Sequence, residues 1–145
     1  TTEFGASYSM DAGGAAITIG AVSGTTENST QDIDSQQIGV QVATGALTIV
    51  VAQSEYEADG DDEQATGAAI KFQVSDDMSL VAYTSEVEDD LSSEEYTNTG
   101  AEMVYTIASG LSAIVTVEDY DYKIGTSSGT ADSGTYSKLT VKATF

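Results

Sequence analysis

The chain has 145 residues, the size of one domain, with 40% hydrophobic residues and 24 acidic side chains against four lysines, a formal charge of −20. It is too apolar for a disordered tail, and its charge repels nucleic-acid phosphates and anionic membrane surfaces. Proline, cysteine, histidine, tryptophan and arginine are absent, which removes disulfide scaffolds, thiol and imidazole chemistry and zinc sites built on Cys or His.

Apolar residues recur with a period of two, the spacing of strands. Thr2 to Asp11 alternates, with Phe4, Ala6, Tyr8 and Met10 on one face, and Ala15 to Val22 repeats the pattern with Ala15, Ile17, Ile19 and Ala21. Further strands are predicted at 36–43 (Ile38, Val40, Val42), 46–54 (Leu47, Ile49, Val51), 66–74 (Ala68, Ile70, Phe72, Val74) and 79–87 (Val81, Tyr83, Val87). The last three lie near 97–107 (Ala101, Met103, Tyr105, Ile107), 111–119 (Leu111, Ala113, Val115, Val117) and 136–145 (Leu139, Val141, Ala143, Phe145). The fold class is all-β, an antiparallel meander of about nine strands. No apolar run approaches the roughly 18 residues of a membrane helix, and Thr1 to Gly5 has no signal-peptide character.

Connections alternate between tight turns (Ala12 to Gly14, Ala43 to Gly45, Ser75 to Met78, Ala108 to Gly110) and polar stretches of about a dozen residues (Ser23 to Ser35, Glu55 to Ala65, Glu86 to Tyr96, Tyr120 to Thr135). Two ends that differ this consistently sit in two environments, and short turns on one side with longer loops on the other is the pattern of outer-membrane barrels. With each apolar face toward lipid, Glu3, Lys71, Glu102, Glu118, Lys138 and Lys142 fall on the opposite, pore-lining face, where no charge meets hydrocarbon. The same orientation places Tyr8, Phe72, Tyr83, Tyr105 and Phe145 on the apolar face near the short-turn end, an aromatic girdle at the headgroup boundary.

The C-terminal stretch Tyr136 to Phe145, with alternating Leu139, Val141, Ala143 and terminal Phe145, resembles the final-strand insertion signal of bacterial outer-membrane proteins. With the turn alternation, the whole chain resembles the Gram-negative general porins. That resemblance implies a bacterial outer-membrane location, contact with outer-membrane lipid, recognition by the barrel assembly machinery, a homotrimer, and a water-filled channel for small solutes and ions, with no enzyme activity. Nine strands cannot close an even-stranded barrel, so residues 1–145 are expected to be the C-terminal part of a single barrel domain, of sixteen strands if the parent resembles the general porins.

Charge adds detail. The first three polar stretches together with residues 119–135 hold eighteen of the 24 acidic residues, predicting a negative outer rim and weak cation selectivity. Glu57, Asp59, Asp61, Asp62 and Glu63 have the oxygen chemistry of a Ca²⁺ site but not EF-hand spacing, and solvated acidic loops are the favoured reading of the same residues. No other cofactor is expected. Glu102 and Glu118 on neighbouring strands form a carboxylate pair of the glycosidase type, with nothing to raise a pKa or shape a sugar site. Lys71, Lys138 and Lys142 face Glu3, Glu102 and Glu118, either as opposed pore walls, a feature the general porins resemble except for their arginines, or as simple neutralising pairs. The competing reading is a surface or secreted all-β adhesin or Ca²⁺-dependent binding module, which predicts the apolar faces buried between two sheets.

Overall fold

The computed structural model describes residues 1–27, 32–58, 61–125 and 131–144. These form one antiparallel sheet in which each strand pairs with the next in sequence: β1 (Thr2–Ala12), β2 (Ala15–Glu27), β3 (Asp32–Thr44), β4 (Leu47–Ala58), β5 (Asp61–Ser75), β6 (Met78–Asp89), β7 (Glu94–Ala108), β8 (Leu111–Lys123) and β9 (Asp132–Ala143). The described residues contain no helix, and β1 and β9 pair on one side only, so the sheet is not closed.

Local chemistry sets the short turns. Gly13 and Gly14 have φ of 67° and 90°, the left-handed pair that a two-residue hairpin needs to match strand twist and that residues with a Cβ rarely adopt. At Ser75 to Met78 no glycine is available. The register shifts there between Gln73 and Ser75, and the Gln73 amide donates to the Ser75 carbonyl at 2.7 Å.

The other ends differ from expectation. Much of each polar stretch is strand, with pairing continuing to Glu27↔Asp32, Ala58↔Asp61, Asp89↔Glu94 and Tyr122↔Asp132. Where both faces of a hairpin meet water, its backbone ladder needs no apolar alternation, and Ser, Thr, Asp and Glu continue it without the proline that would end it.

Directly opposed residues share a face, so the register assigns every side chain. One face carries Tyr8, Ile19, Val40, Ile49, Ile70, Leu80, Met103, Val115 and Leu139. Ile49, Ile70, Met103 and Val115 are exposed there, at 40, 44, 37 and 37%, while Ile17 is half-buried. A sandwich would cover these side chains with a second sheet; the described residues form only one. On the opposite face side chains crowd, and Ser79, Thr116 and Glu118 are buried. Crowding on one face and splaying on the other marks the inner and outer sides of a curled sheet.

Candidate functional site

The outer face is mostly apolar up to one height, with Gln53, Thr84 and Ser137 as polar side chains within it. Ser23, Gln36, Glu55, Glu86 and Asp119 each lie eight residues from the short-turn end of their strand, all outward and exposed. Below them come runs such as Leu47, Ile49, Val51 and Ala113, Val115, Val117. About eight residues at roughly 3.3 Å rise and 40° tilt give a belt of roughly 20 Å, near the 25 Å of outer-membrane barrels. Above it the outward side chains include Asp34, Glu57, Glu88 and Asp121. Lys123 pairs with Glu95 at 2.6 Å, the one ion pair among the described residues, and this carboxylate holds the ammonium pKa above its ordinary value.

Of the aromatics expected at the short-turn end, Tyr8, Phe72 and Tyr105 are outward and exposed. Tyr83 is not. It opposes Ala69 and Gly100 on the inner face, which corrects the sequence reading. Strand β6 is apolar on both sides, with Leu80 and Ala82 outward and Val81, Tyr83 and Val87 inward, so alternation alone leaves its phase open. Phe145 lies outside the described residues. Leu139 and Val141 are outward at 70 and 64% exposure, and Ala143 shares their face.

Glu3, Lys71, Glu102, Glu118, Lys138 and Lys142 all project from the inner face. One row of opposed positions runs Lys71, Val81, Glu102, Thr116, Lys138 across β5 to β9. Each lysine is therefore two strands from Glu102, about 10 Å between backbones at an interstrand spacing near 4.8 Å, and neither forms an ion pair with it among the described residues. Thr116 donates to Glu102 at 3.3 Å.

The next row up runs Ala69, Tyr83, Gly100, Glu118, Tyr136. The Tyr83 hydroxyl reaches across Gly100 and donates to Glu118 Oε2 at 2.5 Å. Only glycine permits this: a Cβ at residue 100 would stand 2.5 Å from Tyr83 Cζ. Gly134 similarly seats Tyr120, whose Cε1 would lie 3.2 Å from an added Cβ and whose hydroxyl donates to Asp132 at 3.3 Å. Six of the eight tyrosines, Tyr56, Tyr83, Tyr96, Tyr120, Tyr122 and Tyr136, project from the inner face. Sequence reasoning missed this wall, because a tyrosine beside a cross-strand glycine is visible only once register is known.

The acidic stretch considered for Ca²⁺ is divided by the sheet. Glu57 opposes Asp62 on the outer face, Glu63 opposes Tyr56 on the inner face, Asp61 shares that inner face, and Asp59 lies outside the described residues. No three carboxylates among the described residues converge as a metal site would require. Glu102 and Glu118 share the inner face, each bonded to a hydroxyl of the wall.

A family model described as Gram-negative porin matches residues 1–125. No curated protein sequence matches the chain. Among solved structures, the outer membrane channel DcaP of Acinetobacter baumannii is similar at 7% identity and TM-score 0.73, over 99% of this chain and 51% of that one. An anion-selective porin from Comamonas acidovorans is similar at 12% identity and TM-score 0.63, over 97% and 47%. The trimer form of OmpT, an outer membrane protein of Vibrio cholerae, is similar at 15% identity and TM-score 0.59, over 93% and 54%. The chain thus spans about half the length of these three proteins.

Proposed function

This chain belongs to the Gram-negative porin family, which places it in the outer membrane, and we propose that it supplies part of the wall of a water-filled channel for passive diffusion of small hydrophilic solutes and ions. The observation that carries this reading is the division of the nine strands into two faces. An exposed apolar belt ends at one height on the outside, whereas Glu3, Lys71, Glu102, Glu118, Lys138 and Lys142 project from the other side. Outer-membrane lipid is the solvent for the first face and water for the second, since a charge at the bilayer midplane costs about 2 to 4 kcal/mol. The wall is not an enzyme site in this reading: Glu102 and Glu118 stabilise and charge the surface.

The rim supports weak cation selectivity, with carboxylates on both faces above the belt and Lys123 already engaged by Glu95. The Comamonas acidovorans porin is described as anion-selective, so the shared fold leaves the sign to the side chains of each member. The trimer form of OmpT favours a homotrimer, and the outward Leu139, Val141 and Ala143 on β9 suit recognition by the barrel assembly machinery.

The test is reconstitution of the full-length protein into planar bilayers. Discrete, ohmic conductance steps in potassium chloride are expected, and a protein that inserts as a heat-resistant barrel without conducting refutes the channel reading.

A further inference from the structure

We propose that the tyrosine-bearing part of the inner wall on β7 to β9 is a subsite for organic ammonium cations, with Glu118 as its counter-charge and the rings of Tyr96, Tyr120 and Tyr136 as the surface on which the cation rests. The proposal relies on the channel reading for the route by which a solute reaches the wall.

Register brings the groups together. Glu118 opposes Tyr136 on β9, Tyr120 lies two residues further along β8 on the same face, and Tyr96 opposes Tyr122 across β7 and β8. Directly opposed side chains on one face have Cβ atoms about 5 Å apart. Tyr136 and Tyr120 therefore flank the carboxylate, and Tyr96 extends the row of rings toward the upper strand ends. Tyr136 is 43% exposed, while Glu118 is 8% exposed. Water alone does not call for this composition, because a wall that only hydrates ions gains nothing from aromatic rings.

Charge selects the occupant. Glu118 is buried, accepts from a tyrosine hydroxyl and forms no ion pair among the described residues; the nearest cation on its face, Lys138, is a diagonal neighbour on β9. A cation settling beside it gains Coulomb attraction in a partly dehydrated place, plus the attraction of aromatic faces for positive charge. Anionic solutes are repelled. Neutral sugars fit less well, because the hydroxyls of Tyr83 and Tyr120 already donate to Glu118 and Asp132, leaving ring surface in place of donors.

The test uses the full-length protein in detergent, titrated with tetramethylammonium chloride against sodium chloride at equal ionic strength, read from broadening of the ammonium methyl proton resonance. Saturable broadening is expected, weakened about tenfold by Glu118→Gln and by the Tyr120→Leu/Tyr136→Leu double variant, and changed less than about twofold by Tyr120→Phe/Tyr136→Phe, which keeps both rings. If the leucine pair does not fold, Glu118→Gln, similar in size and shape, carries the comparison. Absence of saturable binding overturns the subsite, as does binding lost equally in the phenylalanine pair, which would mean recognition through hydroxyls. Potassium chloride conductance of the same preparation is read separately. Conductance without ammonium binding sinks the subsite alone, and ammonium binding without conductance sinks the channel reading alone.

Discussion

Gly100 shows how one residue shapes the inner wall. Its missing side chain lets Tyr83 lie across β7 to meet Glu118, and an added Cβ would come within 2.5 Å of the ring. We expect Gly100→Ala to lift the ring and break that hydrogen bond, lowering stability by about 1 kcal/mol, the usual worth of such a bond. In a Tyr83→Leu background there is no ring to displace, so the same substitution should cost almost nothing. A double-mutant cycle by thermal unfolding checks this, and equal costs in both backgrounds would refute the seating. At the β6–β7 tip, Asp89 accepts the Ser92 amide at 2.8 Å, and this backbone bond, followed by one from the Ser92 side chain, holds the carboxyl pKa below its ordinary value. The sign follows: a depressed folded pKa stabilises the tip above the ordinary carboxylate range, and the stabilisation is lost as pH falls through the lowered value. Acid should therefore loosen residues 90–93 before the sheet, seen as a lower protection factor for the Ser92 amide, its exchange rate taken relative to the intrinsic rate at each pH. Asp89→Asn should remove the pH dependence, and a tip equally protected at both pH values would contradict it.

Neighbours along a strand lie on opposite faces, which in the proposed channel meet different solvents. Val115 sits in the middle of the outer belt, whereas Ile114 opposes Val104 and Thr140 on the inner face. Val115→Lys should cost about 2 to 4 kcal/mol and reduce the folded, heat-resistant fraction, while Ile114→Lys, one residue away, should assemble nearly normally. Refolding yields into lipid vesicles compare the two, and comparable losses would mean that the faces are misassigned. The same period of two made the strands legible: nine elements and their two unlike ends follow from alternation and from turn residues such as Gly13 and Gly14, which act locally. The phase of β6 was not legible, because Leu80 and Tyr83 are both large and only the pairing of Leu80 with Phe72 and of Tyr83 with Ala69 on β5 separates their faces. The upper strand ends were hidden for a different reason. Water on both sides removes the alternation by which a strand is read, although pairing such as Glu57↔Asp62 continues. The inner tyrosine wall depends on which glycine faces which ring, a relation between strands that no single segment contains.

At the scale of the whole molecule, selectivity in the proposed channel is a contest between rim and wall. Along the upper strand ends, carboxylates such as Asp34, Glu57, Glu88 and Asp121 outnumber the single cation there, Lys123, whose charge Glu95 already offsets. Fixed negative charge concentrates cations at a channel mouth over about 10 Å at 0.1 M salt, a distance comparable with the rim itself. Deeper in the wall Lys71, Lys138 and Lys142 act in the opposite sense, and none of them forms an ion pair among the described residues. The net preference should be for cations but modest, and it should fade as salt shortens the reach of the rim. Bilayer recordings of the full-length protein under a potassium chloride gradient measure it: a reversal potential of cation sign is expected at low salt, shrinking toward zero at about 1 M, where the screening length is about 3 Å. Substituting Glu55, Glu86 and Asp119 together by their amides should reduce the low-salt preference and leave the high-salt value unchanged. An anion-sign potential at low salt, or a cation preference indifferent to salt, would show that the rim does not govern what passes.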